Sequence, residues 1–163
     1  MKNKNKIRSI AISAVVASLY VVLTYLTNLL GLANGAIQIR FSEMLTILPV
    51  FVPAAIPGLF IGCIVANLIT GCALWDIVFG SLATLIGAIG TYLLRKHPLL
   101  ATIPPILANA IIVPFVLILV YGLEGTYFYF FATVLLGEVI SCGILGTVLS
   151  KALVKRKIFT NKM

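Results

Sequence analysis

Apolar residues run along this chain in six blocks, at residues 10–29, 41–54, 58–69, 76–94, 99–121 and 127–149, with short polar or proline-containing breaks between them. A helix needs about 20 apolar residues to cross a bilayer, so the four longer blocks predict full spans. The second and third blocks are short. Pro49, Pro53 and Pro57 fall around their junction, four residues apart, where missing amide donors disfavour a straight helix. These two blocks are expected to be tilted, kinked or partly buried in protein, where irregular backbone is tolerated. No break has the composition of a domain linker. The pattern predicts one integral membrane domain over residues 1–163, an all-α bundle of six transmembrane helices.

Composition strengthens this reading: 61% of the 163 residues are apolar, 10% are charged, and the mean hydropathy is +1.17. Soluble proteins carry roughly 45–50% apolar and about 25% charged residues, which excludes a soluble globular domain. The net charge of +8 suggests a nucleic-acid surface until the cations are placed on the blocks. Lys2, Lys4, Lys6 and Arg8 precede the first block, and Arg95 and Lys96 separate the fourth from the fifth. Lys151, Lys155, Arg156, Lys157 and Lys162 follow the sixth. Six spans put all of these on one side, which the bias of Lys and Arg toward cytoplasmic loops makes the cytoplasm. The expectation is a multi-pass protein of the cell membrane with both termini cytoplasmic. Its basic tails then lie beside anionic lipid and bind no nucleic acid. A cleavable signal ending near Ala33-Asn34-Gly35 is disfavoured, because the first block exceeds the usual 7–15 residues of a signal core.

Familiar catalytic signatures are missing. The chain has no GxxxxGK[ST] loop, HExxH, GxSxG or Rossmann fingerprint, so a non-enzyme is expected, and any ATP used in transport is hydrolysed by another subunit. Cys63, Cys72 and Cys142 show no CxxC or Cys/His spacing and read as packed thiols, with no metal or cofactor in this chain. His97 is assigned no role.

Away from the cytoplasmic cations the chain keeps one cation, Arg40, and four acids, Glu43, Asp76, Glu124 and Glu138, which predict a net-negative, outward-facing funnel. Glu138 is eleven residues into the sixth block, about 16 Å deep at 1.5 Å per residue. An ionisable group there costs about 2.5–3.5 kcal/mol, so Glu138 is expected to face the bundle interior and a substrate, or to tie two helices together. Asn109, midway along the fifth block, and Asn67, near the outer end of the third, present amides suited either to a heterocycle or to an interhelical hydrogen bond. Arg40 and Glu43 share a helical face and suit an internal ion pair as well as a ligand. Asp76 opens the fourth block, where a carboxylate caps free amides. Trp75 suits stacking on a flat ring or anchoring at the interface, and Glu124 a solvated turn. Small-residue pairs Ser13/Ala17 and Ala14/Ser18 mark the first block, and Gly58, Gly62 and Ala66 the third. Internal packing is the reading for the third block; for the first, a partner subunit stands beside it.

Four stretches, taken together, resemble one family. They are Ile37-Gln38-Ile39-Arg40-Phe41-Ser42-Glu43; Ala55-Ile56-Pro57-Gly58-Leu59-Phe60-Ile61-Gly62-Cys63 continuing to Ala66-Asn67-Leu68; Asp76-Ile77-Val78-Phe79-Gly80-Ser81-Leu82-Ala83-Thr84; and Gly137-Glu138. They resemble the QueT family of substrate-binding (S) components of energy-coupling factor (ECF) transporters. The resemblance implies a six-helix S-component fold with cytoplasmic termini, uptake of queuosine precursors, and partnership with a transmembrane coupling subunit and two ATPase subunits. It also implies a lid between the first two helices, here residues 30–39 with Gly31 and Gly35 as pivots, and contact between small residues of the first helix and the coupling subunit. The alanine-xxx-alanine form of that contact is altered here, since each pair contains a serine. A deazaguanine-type ligand would place its base on Glu138, Asn67 and Asn109 and its ammonium on Glu43 or Asp76. The competing readings are a self-sufficient, proton-coupled secondary transporter with Glu138 as the proton site, and a structural subunit of a membrane complex.

Overall fold

The computed structural model describes residues 2–32 and 38–156. The Ala33-Asn34-Gly35 stretch, the middle of the expected lid, and Lys157 and Lys162 lie outside the described residues. Helices make up the described fold, with no strand among them. They are α1 (Lys2–Leu29), a 3-10 helix (Phe41–Val50), α2 (Ala55–Ile69), α3 (Leu74–Leu93), a 3-10 turn (Leu100–Thr102), α4 (Ile103–Leu119), α5 (Tyr127–Glu138), a π-helical segment (Val139–Leu145) and α6 (Gly146–Lys155).

Four helical stretches are long and apolar enough to cross a membrane: Asn3–Leu29, Leu74–Leu93, Leu100–Leu119 and Tyr127–Lys155. Phe41–Val50 and Ala55–Ile69 are apolar but shorter. The six expected blocks therefore appear as four full-length helices and two short ones, and the short ones are the two the prolines interrupt. α1 begins eight residues before the apolar block because its Lys and Arg residues are good helix formers and no breaker intervenes. Pro57 is tolerated in the first turn of α2, where amides lack intrahelical partners in any case, so that helix starts at Ala55 rather than after the proline.

The second block differs most from an ordinary span. It is a ten-residue 3-10 helix containing Pro49. At about 2.0 Å rise per residue it covers about 20 Å, where an α-helix of that length covers about 15 Å. Seven of its residues are buried. It packs against α1, α2, α3, α6, the 3-10 turn and the π-helical segment, so an element too short and irregular to face lipid is enclosed by protein.

α1 packs on α2, α2 on α3, α3 on α4 and α4 on α5. Close approach of α1 and α2 uses the predicted small residues. A Cβ added at Gly58 would lie 2.5 Å from the Ser13 carbonyl oxygen, and one at Gly62 would lie 3.0 Å from both Cα and O of Ala17. Ser13 Oγ also donates to Ala54 O at 2.7 Å. Ser13 and Ala17 are thus engaged by α2, while Ala14 and Ser18 lie on the exposed face of α1. Gly62→Leu is expected to cost about 1–3 kcal/mol or more, because backbone atoms cannot yield as side chains do. Thermal unfolding in detergent checks this, with a transition several degrees lower expected.

Candidate functional site

Toward one end of the bundle lies a cavity of about 280 Å³, close to the lower limit of small-molecule pockets. Three predicted residues line it: Arg40, Asn67 and Asp76. Asp76 sits in the first turn of α3 but does not cap it; its side chain is buried, and Oδ2 accepts the Tyr121 hydroxyl at 3.0 Å. The same Tyr121 oxygen accepts the Ala73 amide at 3.2 Å, which fixes the hydroxyl proton toward the acid. Asp76 Oδ1 has no hydrogen-bond donor among the described residues. Asn67 is 1% exposed, and its Nδ2 donates weakly to Cys63 Sγ at 3.7 Å. Gly80 keeps these two together, since a Cβ there would stand 3.3 Å from Asn67 Nδ2 and 3.6 Å from Asp76 Oδ1.

Glu43, Asn109 and Glu138 do not line this cavity. They form a separate buried cluster with Tyr20, Thr46 and Cys142. Tyr20 OH donates to Glu43 Oε1 in a short hydrogen bond. Cys142 Sγ donates to Glu138 Oε2 at 3.1 Å and to the Glu43 carbonyl at 3.4 Å, and Thr46 Oγ1 lies 3.3 Å from the sulfur. The ligand atoms of Glu43, Glu138 and Cys142 lie within 4.8 Å of one another, a spacing that would suit a metal ion. Here the thiol serves as a hydrogen-bond donor, and the Arg40 guanidinium, near both carboxylates, opposes a further cation. The π-helical segment starts directly after Glu138 and carries Cys142 and Ser141, placing both against the 3-10 helix.

Arg40 connects the two regions. It forms no ion pair with Glu43, whose Oε1 is taken by Tyr20. Its guanidinium interacts electrostatically with Asp76, Glu43 and Glu138. It stands on an extended strap, residues 38–40, pinned by three backbone donors: Ile39 N to Leu32 O (3.1 Å), Arg40 N to Ser141 Oγ (3.1 Å) and Phe41 N to Thr27 Oγ1 (3.2 Å). The Gln38 carbonyl lies where a Cβ of Gly137 would be. Trp75 points elsewhere, 56% exposed and stacked on Phe79 at 5.8 Å between ring centroids. Glu124 is exposed.

Thr24, Thr27, Gln38, Cys72 and Tyr121 also line the cavity and were not anticipated. The threonines had a readable signal, because Tyr20, Thr24 and Thr27 repeat at helical spacing in an otherwise apolar helix. Tyr121 had none beyond its place at an aromatic belt.

Residues 10–155 match the profile of the QueT transporter family. The chain belongs to that family. A curated relative, the queuosine precursor transporter QueT of Lactococcus lactis subsp. cremoris (strain MG1363), is 38% identical over 84 residues, which are 51% of this chain and 48% of the relative. The chain thus spans about half the length of the curated relative it matches. No solved structure matches. Together with the four long apolar helices, membership of the QueT transporter family makes this a multi-pass membrane protein. Parts of all four stretches that suggested the QueT family converge in space: the strap and Glu43, Asn67, Asp76 with Gly80, and Gly137-Glu138 lie at the cavity or in the carboxylate cluster and its contacts.

Proposed function

We propose that the protein is the substrate-binding subunit of an ECF-type, ATP-driven importer. It captures a queuosine precursor, an aminomethyl-deazaguanine or queuine-like base, from outside and delivers it inward with a transmembrane coupling subunit and two ATPase subunits. In this reading the chain is a six-span bundle with both termini cytoplasmic, and the cavity opens outward. The observation that carries it is the cavity itself: one buried carboxylate, Asp76, one amide, Asn67, and one cation, Arg40, around about 280 Å³ in a chain of this family. A flat base with an ammonium substituent pairs its cation with Asp76 and its ring edges with the amide and threonine hydroxyls. No phosphate-binding loop occurs in the sequence, so ATP hydrolysis falls to the partners. Exposed Ala14 and Ser18 on α1 remain for the coupling subunit.

The test is uptake of labelled aminomethyl-deazaguanine into liposomes. Uptake that requires the coupling subunit, both ATPases and internal ATP is expected. Uptake by this chain alone without ATP would overturn the proposal in favour of a secondary transporter.

A further inference from the structure

Buried polar atoms without partners are few in folded proteins and call for an explanation. Two of them lie together here: Glu43 Oε2 and Asn109 Nδ2 have no hydrogen-bond partner among the described residues. Their residues are 2% and 4% exposed. The Asn109 amide adjoins the carboxylates of both Glu43 and Glu138 without completing a bond to either. An unpaired acceptor and an unpaired donor therefore share one buried place, although Glu43 Oε1, Glu138 Oε2 and the Cys142 thiol around them are all paired.

Three helices set this pair one layer below the cavity. Tyr20 lies four residues before the lining Thr24 on α1, Cys63 four before Asn67 on α2, and Asn109 four before Val113 on α4. One helical turn is about 5.4 Å. Arg40 lines the cavity and also interacts electrostatically with Glu43 and Glu138, so one long side chain links the two layers.

We propose that ligand binding deepens the cavity by this layer, with Arg40 moving aside. Asn109 Nδ2 and Glu43 Oε2 then form a second subsite, for a cyclic lactam edge. The ring carbonyl accepts from Asn109, the adjacent ring N–H donates to Glu43, and Glu138 stands beside them for a second N–H. This rests on the function proposed above, because a deazaguanine carries that lactam on its six-membered ring and the amine that Asp76 faces on a substituent of the fused five-membered ring. With the amine holding the register, an adenine-type ring presents a donor to Asn109 and a bare nitrogen to Glu43, and both contacts fail.

The experiment measures binding of aminomethyl-deazaguanine and its deazaadenine counterpart to the purified full chain, in wild type, Asn109→Asp and Glu43→Gln. Wild type is expected to favour the guanine-type base by at least tenfold, a comparison that needs no variant. Each substitution is expected to weaken that base by about ten- to a hundredfold with little change for the adenine type. Equal effects on both bases, or none, would overturn the subsite; a pair satisfied by buried water alone gives that result. Absence of guanine-type binding in wild type would instead overturn the proposed function, and the lactam assignment with it.

Discussion

Gly137→Ala is expected to abolish high-affinity ligand capture and to lower the unfolding temperature by several degrees. The added Cβ would fall on the Gln38 carbonyl oxygen and 3.0 Å from its carbon, atoms of the backbone with no rotamer to change. The strap must shift away from α5. Ile39, Arg40 and Phe41 donate the three hydrogen bonds that hold it, to Leu32 O, Ser141 Oγ and Thr27 Oγ1. Overpacking of this kind costs about 1–3 kcal/mol, and each hydrogen bond lost adds about 0.5–1.5. The effect on binding is larger than on stability, because the strap carries Arg40 into the cavity and leads directly into the helix that bears Glu43. Gly143→Ala is the control: on the next turns of the same helical stretch, its Cβ would meet nothing closer than side-chain atoms at 3.8 Å. Thermal unfolding and ligand titration of both variants decide the matter. Equal behaviour of the two would show that the strap is free to move.

Much of the helical framework was legible because lipid leaves few alternatives. Backbone groups in the bilayer must be satisfied internally, so a block of about 20 apolar residues specifies a helix almost regardless of detail. The short second block was less legible. Its prolines announced irregularity, but the choice of a 3-10 helix depends on enclosure by six other elements, which no local pattern records. The π-helical segment was silent for a similar reason. It shifts Ser141 and Cys142 toward the strap and Glu43, contacts about a hundred residues apart in sequence. Charge counting grouped four acids into one funnel, and the structure divides them, with Glu124 exposed. Glu43, Asp76 and Glu138 are all buried, yet only Asp76 lines the cavity. A single depth scale along each helix cannot say which of two acids at similar depth faces a void and which faces a thiol. The small-residue stripe of α1 shows the same limit: Ser13 and Ala17 meet α2, Ala14 and Ser18 do not, and their spacing alone is identical.

Asp76→Asn is expected to weaken binding of aminomethyl-deazaguanine by about 10- to 150-fold while leaving the fold intact. The asparagine has the same shape, and its amide oxygen still accepts the Tyr121 hydroxyl that now bonds Oδ2. What disappears is the negative charge, and a hydrogen bond to a charged group contributes about 1.5–3 kcal/mol. Arg40 loses its attraction to Asp76 and keeps those to Glu43 and Glu138, so the cavity gains positive character just where a cationic ligand must sit. A precursor that carries a nitrile in place of the amine has no charge to lose and is expected to bind the variant nearly as well as wild type. Cys72 supplies the readout. It lines the cavity, whereas Cys63 and Cys142 are buried at 1% exposure, so a membrane-impermeant maleimide should label Cys72 alone. Ligand should protect it, and the concentration giving half protection should rise in the variant for the amine but not for the nitrile. A rise of the same size for both would assign Asp76 to shaping the cavity rather than to reading the ligand's charge.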